Sequence, residues 1–257
     1  MYILALFIYL NFIKTMKKLL FLILILTSAV ASAQKNEGIV LYEVKMNMHR
    51  RLPADRQEMK TMIPEFRTTK MQLIFNQNES LFKNVEEDDD EEINANGGAM
   101  RMRFMMPQNE LYFNFAENKK VEMREFMTKK FLLEGEIKPN AWKISDEETK
   151  EIKGYLCKKA TFTNEERKMN VVAWFTEQIP VSAGPDNYNS LMGLVLQVDI
   201  NDGEIVTTAS NIEFKKLKKG DIKIPTEGKK ITQEEFRKMV EEQMKQMGGN
   251  GMRIFRN

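Results

Sequence analysis

The side chains that most often carry chemistry are scarce in this chain, which has one histidine, His49, and one cysteine, Cys157. A single imidazole cannot build a multi-histidine zinc centre or an HExxH motif, and no Gly-x-Ser-x-Gly elbow accompanies it to make a serine–histidine pair. His49 stands at the polar end of an alternating segment and is expected to face solvent. One cysteine excludes an internal disulfide. Its place in an alternating apolar pattern predicts a buried, inert thiol. No phosphate-binding Gly-x-x-x-x-Gly-Lys loop or dinucleotide fingerprint is present, and no cofactor is assigned.

Methionine and the acids are plentiful instead. Met100, Met102, Met105 and Met106 cluster in the sequence, and Met244 and Met247 are spaced as neighbours on a helix. Thioethers are soft ligands that suit Cu(I), so copper handling is one reading; methionine is also a gap-filler in cores, which is the simpler one. Seven consecutive acids, Glu86 to Glu92, lack the glycine-punctuated spacing that wraps a loop around calcium, and predict a solvated loop. The 37 acidic residues allow many carboxylate pairs for polymer hydrolysis, but no spacing singles one out.

The elements that would position these groups begin after residue 33. Residues 1–33 contain no acid; Met16-Lys17-Lys18, the apolar Leu19–Leu26 run and Ala31-Ser32-Ala33 together read as a secretory signal peptide cleaved before Gln34, with Met16 the expected start. Lysines interrupt the leader, so no run reaches the length of a membrane span. With Lys14, Lys17 and Lys18 removed, the 39 basic and 37 acidic residues leave a net charge of about −1, which excludes an electrostatic footprint for nucleic acid. The lone cysteine is far from the cleavage site, which excludes a lipid anchor there. A protein of the periplasm or the extracellular space is expected.

Residues 34–257 are read as one β-rich domain. Val40, Tyr42, Val44, Met46 and Met48 alternate with polar residues, and the same period of two returns through Leu81, Leu111–Phe115, Lys119–Phe126, Lys129–Gly135, Cys157–Thr163 and Ile205–Phe214. A short helix is expected near 53–63, between Pro53 and Pro64. An acidic, Met-rich insertion covers about 86–109. A C-terminal helix over about 232–247 carries a Thr232/Glu235 capping box and an apolar stripe through Phe236, Met239, Val240, Met244 and Met247. The fold class is mainly β: a curved antiparallel or half-barrel-like sheet, with the terminal helix packed on its open face.

The most organised stretch runs from Trp174 to Ile200 as strand, loop and strand. Pro180 and Pro185 fix their own φ, and Gly184 and Gly193 are expected to adopt backbone angles that a Cβ would forbid. The loop is read as architectural, turning the chain so that Trp174 and Leu194 enter one core. In order along the chain, Tyr42, Trp142, Gly154, Tyr155, Trp174, Pro180, Gly184, Pro185, Leu191, Gly193 and Leu194 resemble the motif positions of the GLPGLI family of secreted Bacteroidota proteins. The namesake motif is only half kept, with Ser190, Met192 and Val195 in place of Gly, Pro and Ile. That resemblance implies a β-rich exported protein and transfers no catalytic residue.

The expectation from sequence is therefore a non-enzymatic binding or envelope-accessory protein. Its partner would be an apolar ligand or an envelope protein held against the sheet, with the terminal helix as a lid. Copper handling and hydrolysis of an envelope polymer stand as alternatives.

Overall fold

The computed structural model describes residues 16–18, 35–52, 54–85, 108–165 and 167–246. The expected signal peptide apart from Met16–Lys18, and the acidic run with Met100, Met102, Met105 and Met106, fall outside the described residues, as does Met247. Twelve strands form one open sheet. They are β1 Gly38–Asn47, β2 Phe66–Phe75, β3 Glu79–Asn84, β4 Asn109–Asn114, β5 Lys119–Phe126, β6 Lys129–Glu136, β7 Lys143–Ile152, β8 Tyr155–Asn164, β9 Met169–Thr176, β10 Leu194–Ile200, β11 Ile205–Phe214 and β12 Lys229–Lys230.

The spatial order is β12-β6-β5-β4-β3-β2-β1-β11-β10-β9-β8-β7. Two meanders, β1 to β6 and β7 to β11, are thus joined where the first strand pairs with the eleventh. Several sequential neighbours, such as β2–β3, β4–β5, β5–β6 and β7–β8, are joined by short turns. β7 and β8 meet through Lys153-Gly154, both at positive φ (52° and 78°), which is the backbone a two-residue hairpin requires. Every pairing is antiparallel except β12 on β6. The two-residue β12 is legible only in three dimensions, since no alternation can be read from so short a run.

Open sheets need protected edges. At one edge β12 is too short to template further pairing. At the other, β7 is almost wholly exposed, carries acids and lysines, and is broken by an irregularity between Ser145 and Thr149. The chain bulges there within a continuous strand.

Two helical segments accompany the sheet. The one expected near 53–63 is a 3-10 helix, Ala54–Thr61. The other, α1, spans Gln233–Gln246. Its capping box is made: Glu235 N–H donates to Thr232 Oγ1 at 3.2 Å, while Thr232 N–H donates to Glu235 Oε2 at 2.9 Å. Its apolar face rests on the last strands of the first meander, with Phe236 meeting Phe126 and Phe131 edge-on at ring centroid distances of 6.4 and 5.5 Å.

The main core gathers Val40, Tyr42, Leu73, Phe82, Leu111 and Leu194, with Trp174 packed against it. Ile179, Val181 and Ala183 from the β9–β10 loop sit in the same cluster. Side chains of both meanders and of the loop thus fill this part of the interior. Tyr42 is completely buried, and its hydroxyl donates to the carbonyl of Val195 at 2.6 Å, tying the first strand to the tenth. His49, expected in solvent, is half-buried with Nε2 3.0 Å from the Ile63 carbonyl oxygen. Cys157 is buried, as its strand pattern predicted, and burial pushes its thiol up to about 11.

Candidate functional site

The register of the first meander aligns Val40, Leu73, Phe82, Leu111, Glu122 and Leu133 across six strands. Five of the six are apolar. Glu122 is the exception, a carboxylate only 5% exposed in the middle of a hydrophobic row. A buried ion without compensation is costly, and β5 supplies the compensation on the same face two residues either side. Lys120 Nζ lies 3.2 Å from Glu122 Oε2, and Arg124 Nε donates to Glu122 Oε1 in a short contact. Burial works to raise the Glu122 carboxyl, but the two cations outweigh it and hold it below the ordinary carboxylate range.

This charged ladder meets other parts of the chain at both ends. Lys120 Nζ also donates to Asn187 Oδ1 at 2.6 Å, reaching the β9–β10 loop. Arg124 lies over the Phe236 ring of α1, 5.5 Å from its centroid. The loop is further held by Asn140 Nδ2 donating to the Asn187 carbonyl at 2.9 Å and by Trp142 Nε1 donating to the Asn189 carbonyl at 3.0 Å. Loop, strand and helix are therefore joined through Lys120, Glu122 and Arg124.

Asp186 lies in the loop beside this ladder, half-buried and at φ 51°. Its carboxyl accepts from Asn187 Nδ2 at 2.8 Å. Burial raises its carboxyl above the ordinary value and the Glu122 charge raises it further, against the opposing pull of Arg124, Lys120 and Arg167. Two neighbouring carboxylates are thus driven in opposite directions. Such a division is characteristic of sites where one acid is to be protonated and the other ionised, although a structural ion network also produces it. Glu122 has both oxygens against cations and is the internal counter-ion; Asp186 is the group whose protonation is open to change.

The raised Asp186 carboxyl makes a stability prediction. A group whose folded value exceeds its unfolded value of about 3.9 binds more protons when folded, so its contribution falls as pH rises through that interval. Above that interval the raised carboxyl of Asp186 therefore makes the fold less stable. Asp186→Asn, which keeps the oxygen that Asn187 uses, should melt higher than the parent chain at pH 7. The difference should vanish towards pH 3 in thermal unfolding followed by circular dichroism.

The positions singled out in the sequence are spread along the sheet. Tyr42, Leu194 and Leu191 are buried; Tyr155 and Trp174 are half-buried against the main core, with Lys150 Nζ 5.6 Å from the Trp174 ring centroid. Trp142 packs edge-on to Phe162 at 4.7 Å. Gly154 occupies the β7–β8 turn, Pro185 is buried and Pro180 is exposed. Gly184 and Gly193 do not have the positive φ expected of them. Their constraint is space: a Cβ on Gly184 would overlap the Tyr188 carbonyl oxygen, and one on Gly193 would overlap that of Thr176. Lys120, Glu122, Arg124 and Asp186 were not among the sequence candidates. Among the described residues no group of three or more His, Cys, Asp or Glu could hold a metal ion.

The fold and this ladder define an open twelve-stranded β domain closed over internally by one loop and one helix. The chain belongs to the family described as N-glycanase peptide, N-terminal domain, which matches residues 69–238. Two solved structures of PNGF-II, one in space group P21 and one in C2, share the fold at 16% identity and a TM-score of 0.54. Each covers 81% of this chain, whereas this chain covers 34% and 33% of theirs, about a third of their length. No curated protein matches the chain.

These findings correct the sequence reading. Membership of an N-glycanase domain family replaces the GLPGLI resemblance, which rested on scattered glycine, proline and aromatic positions. It equally replaces the expectation of a non-enzymatic binding protein. Copper handling finds no support: Met100, Met102, Met105, Met106 and Met247 lie outside the described residues, and the description does not extend to the Met244 side chain.

Proposed function

We propose that this chain takes part in the processing of N-linked glycans, as the N-terminal domain of an N-glycanase-type protein. The observation that carries the reading is the match over residues 69–238, which runs from β2 into α1. It takes in the whole Lys120–Glu122–Arg124 ladder, the 177–193 loop and the start of α1 with Phe236, which Arg124 meets. Within this reading the ladder is a positioning device: it fixes loop and helix on the sheet so that surface groups are presented to a glycan in a set geometry.

Export fits the same role. We assign residues 1–33 as a leader that delivers the protein beyond the cytoplasm, on the strength of its cationic start, apolar run and small-residue cleavage site. Among the described residues no helix is long and apolar enough to cross a membrane.

The test is retention of the full chain on an immobilised N-glycosylated protein. Retention is expected, and both free N-linked oligosaccharide and prior removal of the glycans should abolish it. Oligosaccharide appearing in the wash would extend the role to cleavage. Absence of retention, or equal retention on the glycan-free column, would overturn the reading.

A further inference from the structure

One end of the first meander carries a shallow cleft of about 430 Å³, within the range of about 300–1,000 Å³ typical of ligand pockets. It forms where the β2–β3 turn, residues 76–78, and the β4–β5 turn, residues 115–118, meet the segment leading into β1. Its lining is polar: Asn76, Gln77, Asn78 and Asn114 bring amides, and Glu79 and Glu117 bring carboxylates. Glu37 completes it and is shared with a second recess of about 340 Å³ that Lys218 and Lys219 border.

The fold uses half of several of these groups and fixes the other half. Asn76 Oδ1 accepts the backbone N–H of Asn78 and of Glu79, both at 2.8 Å, so the donor end of that amide has no protein partner among the described residues. Asn114 Oδ1 accepts Glu117 N–H at 3.0 Å, while its amide also interacts with the Tyr112 hydroxyl, which fixes that side chain in the cleft wall. Glu79 Oε1 accepts the Tyr112 hydroxyl, and Glu37 Oε2 accepts Leu217 N–H at 3.1 Å, which orients both carboxylates. The pre-set Asn76 NH₂ donor beside oriented carboxylate acceptors matches a ligand whose groups both donate and accept, as hydroxyls do.

Other ligand classes fit poorly. The lining has no aromatic or large aliphatic face for an apolar molecule. Three carboxylates oppose an anion in the main cleft. They are not grouped so as to hold a metal ion, since no such cluster exists among the described residues.

We propose that this cleft is a binding site for an uncharged saccharide. The choice of saccharide among neutral polyols rests on the reading of the chain as an N-glycan-processing protein; the hydroxyl-binding chemistry rests on the cleft itself. A shallow, water-exposed site without a stacking platform binds weakly, with Kd on the order of 1 mM.

The experiment titrates the full, isotope-labelled chain with a neutral oligosaccharide of mannose and N-acetylglucosamine and follows backbone amide shifts. Shifts confined to residues 76–79 and 114–117 are expected. Gln77→Ala combined with Glu117→Ala changes two exposed side chains that cap no turn; with an unchanged melting temperature it should weaken binding at least threefold. Shifts elsewhere, undiminished binding in the double variant, or tighter binding of a carboxylated or phosphorylated sugar would overturn the assignment. If any of these occurs while glycan-dependent column retention persists, the cleft assignment fails and the glycan-processing reading stands. If that retention is absent as well, both fail.

Discussion

Gly193→Ala is expected to lower the melting temperature by roughly 10 °C, a loss of about 3 kcal/mol. The added methyl carbon would overlap the Thr176 carbonyl oxygen and lie 2.6 Å from its carbonyl carbon and 3.0 Å from the Glu177 nitrogen. All three atoms are backbone, so no side chain can swing aside. The chain there is doubly constrained, because Leu194 N–H donates to the Ile179 carbonyl at 3.1 Å and Val195 N–H to the Ala183 carbonyl at 3.0 Å. Moving Gly193 away from Thr176 would pull on both bonds and on Leu194, which is fully buried in the core. Gly135→Ala is the control: nothing lies within 4 Å of its Cβ, and a change within about 0.5 kcal/mol is expected. Equal melting temperatures for the parent and Gly193→Ala would show that the loop is not held as described.

The second large effect is at Glu122. Glu122→Gln keeps the shape and removes the charge, leaving Lys120 and Arg124, whose side chains are 20% and 17% exposed, without their counter-ion. Breaking a buried pair by removing one partner costs about 3 kcal/mol or more. Denaturant unfolding at pH 7 should show that loss. The pH dependence carries the opposite sign from Asp186. A carboxyl held below its ordinary value contributes stability that is complete above the unfolded value of about 4.3 and is lost as pH falls through the folded value. The parent and Glu122→Gln curves should therefore converge in acid. Replacing Glu122, Lys120 and Arg124 together by leucine and methionines should cost less than Glu122→Gln alone, because no unpaired charge remains. A triple variant less stable than the single one would mean that the ladder's hydrogen bonds to loop and helix outweigh its charge balance.

Much of the sheet was legible because period-two alternation is a local signal. The strand opening at Gly38, the meander through residues 109–136 and the run from residue 155 to 176 all follow it, and the Thr232/Glu235 box marked the start of α1 to within a residue. The ladder was not legible for a physical reason. In Lys-Lys-Val-Glu-Met-Arg-Glu-Phe, residues 119–126, apolar and charged side chains alternate, which locally describes a strand with one face in water. What covers the charged face is the loop at Asn187, 67 residues from Lys120, and the helix at Phe236. Nothing local announces that. The tie between β1 and β10 is equally non-local: Tyr42 and Val195 are 153 residues apart, and a buried tyrosine hydroxyl looks like any other tyrosine in the sequence. The glycines of the 177–193 loop were recognised as necessary but for the wrong reason, since sequence shows that a Cβ is missing and not whether an angle or a neighbour requires it.

The central claim, that this chain works on N-linked glycans, is tested most directly by calorimetric titration with one peptide in two forms, N-glycosylated and sugar-free. Saturable heat with the glycosylated peptide alone is the predicted result. Identical traces for the two forms, whether both bind or neither does, would contradict it.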